Sequence, residues 1–241
     1  MQENPIIVLT REREDNEALI ERLQGVAAEI VEYPCIETEI LYYKGEPVGG
    51  RALEDFDALA FSSKRGVKGM GLVADRVKMG KFILATVGEK TAEEIERLFD
   101  RTAHIIAEPQ SGEGMARALI ARLPKKSSIL HIRGNKTTGA FETAVKEAGL
   151  ELSELIVYVN REPKLEPINL KGGSPIIFFA SPSAAKAFYA VNQSVKGNEK
   201  GVVAIGETTA EYLKKINLSA KIRIPDAPNS ESVADCIRKL V

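Results

Sequence analysis

A chain of 241 residues, 44% hydrophobic and 28% charged, is long enough for one large domain or two compact ones, each with its own core. Its 33 basic and 34 acidic residues leave a net charge of −1, which argues against a broad nucleic-acid surface while leaving room for a local basic cleft. Two cysteines and two histidines are too few for a disulfide framework or a multi-histidine metal centre; with no ~18-residue apolar span and no signal-peptide pattern in MQENPIIVLT, the expectation is a cytoplasmic protein that does not span a membrane.

Along the chain, short apolar runs alternate with amphipathic stretches. Runs at 6–9, 27–31, 58–61, 83–87, 103–107, 129–132, 152–157, 176–179, 202–205 and 221–224 predict strands. Patterns at 16–23, 91–99, 115–123, 141–148 and 209–216 predict helices between them. This alternation reads as βαβ units and parallel sheets. Ten strands fit two sheets of five better than one open sheet.

An internal repeat supports the division. FSSKRGVKGM (61–70) lines up with FASPSAAKAF (179–188), and TVGEKTAEEIERL (86–98) with AIGETTAEYLKKI (204–216) at the same offset. AEPQSGEGMARAL (107–119) parallels DAPNSESVADCIR (226–238) one residue out of step. The first strand, IIVLTRERE, resembles ILHIRGNKT at 129–137, setting Arg11 opposite Arg133. Each half thus holds the same five βα pieces in a circularly permuted order. The expected fold is α/β, two flavodoxin-like parallel-sheet domains, the second inserted into the first. Residues 1–35 plus 164–241 form one domain and 42–157 the other, with linker strands at 36–41 and 158–163 that pair as an antiparallel ribbon. Residues 162–175 read as loop. Two sheets so linked leave an interdomain cleft, a common place for a ligand.

In parallel sheets, ligands sit beyond the carboxyl ends of the strands, where helix N-termini offer unpaired N–H groups. The residues falling there are Thr10, Arg11, Ser62, Ser63, Gly88, Thr91, Ser111, Gly112, Arg133, Gly134, Asn135, Lys136, Ser181, Ser183, Gly206, Thr208, Thr209 and Ser230. As a ring of repeated N-termini they suit carboxylates or phosphates. Each has an ordinary alternative. Thr91 with Glu94, and Thr208 with Glu211, read as capping boxes; an arginine at a strand end can be a surface salt bridge. His104 and His131 lie in predicted strands and read as structural, and Cys35 and Cys236 as small buried hydrophobes. Tyr158, at the second crossing, has a phenol that can face the cleft; Tyr33, just before the first crossing, reads as a packing aromatic. The Gly-rich dinucleotide fingerprint, the Walker A loop and the G-x-S-x-G elbow are all missing from the sequence.

With these segments in place, the chain resembles the uroporphyrinogen-III synthase family over nearly its whole length. The resemblance rests on Thr10-Arg11, PCIE (34–37), DALAFSSKRGV (57–67), TVGEKTA (86–92), EPQSGEGMARAL (108–119) and HIRG (131–134). It continues through VYVNRE (157–162), FFASPSA (178–184), AIGETTA (204–210) and PNSESVADCI (228–237). Relatives often carry a second arginine after the IRG motif, where this chain reads NKTTGAF; Lys136 stands in for part of that charge. The resemblance implies dehydration and closure of hydroxymethylbilane, a linear tetrapyrrole with eight carboxylates, into uroporphyrinogen III with inversion of the last ring. It implies no metal or organic cofactor, a monomer, and transient contact with hydroxymethylbilane synthase. It also makes Tyr158, in the family's VY motif, the candidate catalytic residue, since a phenol keeps its proton at neutral pH and can assist a leaving hydroxyl. Two other readings stand beside it: a non-catalytic two-lobed protein binding an anionic ligand, and a nucleotide-dependent transferase with two Rossmann-like lobes, against which the missing fingerprints count.

Overall fold

The computed structural model describes residues 5–41, 51–170 and 173–241. The predicted start of the inserted domain at 42 and part of the predicted 162–175 loop lie outside the described residues. In chain order the elements are β1 (Ile6–Leu9), α1 (Glu17–Arg22), β2 (Glu29–Glu32), β3 (Glu37–Ile40), β4 (Ala58–Phe61), α2 (Lys64–Gly69), α3 (Ala74–Met79), β5 (Ile83–Thr86), α4 (Glu89–Phe99) and β6 (Ile105–Ile106). There follow α5 (Gly112–Arg122), β7 (Ser128–Gly134), α6 (Ala140–Glu147), β8 (Glu151–Arg161), β9 (Ile176–Phe179), α7 (Pro182–Val191), β10 (Gly201–Ala204), α8 (Glu207–Lys215), β11 (Ile222–Arg223) and α9 (Ser230–Arg238).

The chain divides into two compact units. Unit 1 is Met1–Glu37 with Arg161–Val241, and unit 2 is Thr38–Asn160. Unit 1 holds a sheet in the order β2-β1-β9-β10-β11, parallel throughout. Numbered along the chain, that is the doubly wound order 2-1-3-4-5 of flavodoxin-like sheets. Its strands IIVL, IIFF and GVVA are apolar on both faces because helices cover both. Val8, Ile177, Phe179 and Val202 join one core with Phe188 and Leu213, while Ile7, Leu9, Phe178 and Val203 join another with Leu19 and Ile237.

Unit 2 holds the order β8-β7-β4-β5-β6 with parallel pairing, the same layout entered at a different strand. Leu59, Phe61, Leu130 and Ile132 pack with α2 and α4 side chains on one face; Ala58, Ala60 and Ile129 pack with Met115 and Phe141 on the other. A sixth strand, β3, borders β8. Thr38 Oγ1 meets Asn160 Oδ1 at 3.0 Å and Leu41 N–H donates to Val157 O, so the two run antiparallel. The sheets therefore have five and six strands, not five each. β3 falls in the segment expected as a linker strand at 36–41, and its residues, ETEI, are exposed and half-buried in alternation. Tyr158 lies within the eleven-residue strand β8.

The helix starts correct one expectation. Ser63, Ser111 and Ser181 cap α2, α5 and α7, accepting from Gly66, Gly114 and Ala184 N–H. But α4 and α8 begin at Glu89 and Glu207, capped by Gly88 and Gly206. Thr91 and Thr208 are thus inside helices and cap nothing. Thr91 and Thr209 are buried instead. Asn229, one residue before the expected Ser230, caps α9 through Ser232 N–H.

Candidate functional site

The strand ends of unit 2 enclose a cavity of about 430 Å³ lined by Ser62, His131, Arg133, Gly134, Lys136 and Tyr158, with Val87, Gly112, Thr137, Thr138 and Phe141. The sheet register builds it. β4 and β7 run in parallel, Ala60 beside His131, so Ser62 emerges where β7 ends. β7 pairs with β8 up to Arg133–Ile156, then slips at a bulge that sets Gly134 beside Tyr158. The glycine is required there: a Cβ on Gly134 would lie 2.3 Å from Tyr158 Cε2 and 2.9 Å from its hydroxyl.

Tyr158 is oriented by α2. Ser63 Oγ, while accepting Gly66 N–H as the helix cap, donates its proton to the Tyr158 oxygen at 3.1 Å. The phenol oxygen is therefore an acceptor on the protein side, and its own O–H is left to donate into the cavity. Arg133 is held by Glu154: Nε donates to Oε2 at 2.7 Å and Nη2 at 2.5 Å, while Nη1 donates to Gly134 O at 2.7 Å. Glu142, in the first turn of α6, is buried, accepts from Thr137 Oγ1 at 3.0 Å and lies 3.5 Å from Arg133 Nε.

His131 connects these groups. Its Nε2 is 2.5 Å from Ser62 Oγ, and its Nδ1 faces Glu142 Oε1 at 3.4 Å without an aligned hydrogen bond. Burial drives its pKa down to about 4, overriding the attraction of Glu142, so the ring is neutral at neutral pH. In the sequence His131 reads as structural, and Glu142 is not singled out. His131 sits in an apolar strand, and Glu142 looks like any acid in the first turn of an amphipathic helix.

The remaining sequence candidates are distributed over the strand ends of both units. Gly88 is backed by the Gln110 side chain, within 2.5 Å of where a Cβ would sit, and Ser111 caps α5. In unit 1, Thr10 is fully buried and its hydroxyl donates to Phe178 O at 2.7 Å, a structural use. Arg11 lies over the Phe178 ring and donates through Nε to Asn16 Oδ1 at 3.4 Å, and desolvation lowers its pKa. Ser181 and Ser183 share a hydrogen bond at 3.0 Å; Gly206 and Thr208 stand at the start of α8. The cysteines are buried, and burial raises the pKa of both, Cys35 to about 12, which makes them poor nucleophiles.

Residues 17–235 match the family model described as uroporphyrinogen-III synthase HemD. A uroporphyrinogen-III synthase of Chlorobaculum parvum is 25% identical, over 96% of this chain and 97% of its own. A porphyrin biosynthesis protein HemD of Ruminiclostridium josui is 26% identical over 88% of this chain, which spans only 44% of that longer protein. The crystal structure of uroporphyrinogen-III synthetase from Helicobacter pylori superposes over the full length of both chains with a TM-score of 0.67 at 21% identity, a likeness of fold.

Proposed function

We propose that this chain, which belongs to the uroporphyrinogen-III synthase family, dehydrates hydroxymethylbilane and closes it to uroporphyrinogen III with inversion of ring D. The observation that carries the reading is the Tyr158 phenol, whose oxygen accepts from Ser63 and whose hydrogen is thereby left for the cavity. In the first step the terminal C–O bond breaks. Tyr158 hydrogen-bonds the departing hydroxyl, which leaves as water with the phenol's proton, and the ring becomes a delocalised azafulvenium cation. Attack on the substituted carbon of ring D gives a spiro intermediate, which fragments and recloses. The ring carbon attacked last gives up its proton, which restores the phenol, so the net change is loss of one water.

The eight carboxylates call for many donors and no single dominant charge. Serine and threonine hydroxyls, N–H groups at helix starts, Arg11, Arg133 and Lys136 supply them at the strand ends of the two units. Holding the bilane folded is the larger part of the task, because the linear substrate closes unaided to the uninverted isomer. The reading is completed by a cofactor-independent hydro-lyase acting as a cytoplasmic monomer, fed by hydroxymethylbilane synthase. The test is a coupled assay: porphobilinogen and the deaminase generate the bilane, this protein is titrated in, and the oxidised porphyrin isomers are resolved. Isomer III rising with protein concentration is the expected result, and isomer I alone at every concentration would sink the reading.

A further inference from the structure

The hydroxyls of the adjacent residues Ser62 and Ser63 are committed in opposite ways. Ser63 gives its proton to Tyr158 and so makes that phenol a donor to the cavity. Ser62 lies 2.5 Å from His131 Nε2, and the polarity of that bond depends on which imidazole nitrogen carries hydrogen. The surroundings decide it. Nδ1 faces the carboxylate of Glu142 at 3.4 Å, and a carboxylate only accepts. The other groups around Glu142, Thr137 Oγ1 and Arg133 Nε, are donors. The ring itself is fixed against Phe141 at 4.3 Å between centroids, in a buried place that favours the neutral imidazole. Hydrogen on Nδ1 leaves Nε2 bare, so Ser62 donates inward and turns its lone pairs to the cavity.

We propose that the row Glu142–His131–Ser62 makes Ser62 a hydrogen-bond acceptor for an N–H group of the bound molecule, and, resting on the synthase reading, for a pyrrole N–H of the bilane. Arg133, Lys136 and Tyr158 offer this cavity a proton or a positive charge, which suits carboxylates. Ser62 ends a row that begins in a negative charge, so it repels a carboxylate and holds an N–H. When the hydroxyl leaves, positive charge spreads onto the pyrrole nitrogen and its N–H becomes a stronger donor. The contact therefore tightens in the transition state.

Nitrogen-15 NMR of the 241-residue chain reads the polarity directly, because it has only two histidines. His104 Nδ1 accepts Leu84 N–H at 3.0 Å, so its hydrogen is on Nε2. The expected spectrum at pH 7 shows one histidine of each tautomer, His131 carrying hydrogen on Nδ1, with His104→Gln providing the assignment. Hydrogen on His131 Nε2 overturns the proposal whatever the protein catalyses. In the coupled assay, Ser62→Ala is expected to lower turnover about tenfold, mostly in kcat. His131→Leu, which keeps the hydroxyl but frees its proton, is expected to lose as much, with no further loss in the double variant. Full turnover in His131→Leu beside a loss in Ser62→Ala makes Ser62 a donor and overturns the proposal. Isomer I alone from the wild-type protein removes the synthase reading and the pyrrole with it, while the tautomer still decides what Ser62 offers.

Discussion

The two units place different chemistry on one frame. Register aligns them residue by residue: Ile177 pairs with Val8 as Leu59 pairs with Leu130, so β1 corresponds to β7 and β9 to β4. On that alignment Arg11 matches Arg133 and Glu32 matches Glu154. Unit 2 joins its pair directly, whereas unit 1 inserts Asn16, which meets Arg11 on one side and donates to Glu32 at 3.1 Å on the other. The contrast sharpens one layer deeper. Where unit 2 has the polar contact Ser62–His131, unit 1 has Ala180 and Leu9. Where unit 1 buries Tyr189 against Glu199 at 2.6 Å, unit 2 has Gly71 and Lys81. Buried polar groups therefore belong to individual side chains and not to the fold, and each unit uses them differently: one to pin its core, one to shape a cavity.

Five substitutions test that division. The largest effect is expected from Tyr158→Phe, which keeps the ring and removes the proton offered to the cavity. Turnover of the bilane should fall by ~100-fold or more, with circular dichroism and urea midpoint nearly unchanged. Wild-type rates in that protein take Tyr158 out of the mechanism.

His131→Leu writes unit 1's residue into unit 2. The folded-state pKa of His131, about 4, lies below its ordinary value of 6.5, so the folded protein binds the proton less well than the unfolded chain. Its contribution is whole above pH 6.5 and is lost as pH falls towards 4. Urea unfolding of both proteins across that range should show the wild type losing roughly 3 kcal/mol relative to the variant. Parallel pH profiles would show that the ring is not held neutral.

Tyr189→Phe probes the counterpart in unit 1. Burial, with Glu199 beside it, raises the pKa of the phenol, so it stays a donor, and Glu199 also accepts Gly197 N–H at 2.7 Å. Removing the hydroxyl leaves a buried carboxylate short of one partner and should cost about 2 kcal/mol in urea unfolding without change in turnover. The smallest effect is a matched pair. Ser63→Ala and Ser181→Ala each remove a helix cap and should each cost ~1 kcal/mol. Ser63→Ala also frees the Tyr158 oxygen, so its turnover should drop as well.

The strands were legible because burial on both faces leaves an unbroken apolar run, and the repeat made their permuted order readable in the sequence. The helix starts of α4 and α8 were not. Gly88 and Gly206 cap them without a side chain, while the Thr-x-x-Glu spacing one turn later imitates a cap; Thr91 is there to fill space beneath the helix. In the cavity, Ser62, Arg133, Gly134, Lys136 and Tyr158 could be picked out, with Ser63 behind them, because hydroxyls, glycines and charges at strand ends stand out from apolar runs. Glu142 could not, since only the packing of α6 against β7 turns a helix-surface acid into a buried one.

The permuted strand order also sets a schedule for synthesis. Unit 2 needs only a continuous stretch of chain, whereas β1 lies at the heart of its sheet and waits for β9; Thr10 donates to a carbonyl 168 positions downstream. At bacterial-like elongation of ~5–20 residues per second, that delay is roughly 10–30 s. Throughout it the nascent IIVL segment lacks the neighbour that will cover one of its edges. A ribosome making this chain therefore completes unit 2 while β1 is still exposed to chaperones and to other chains.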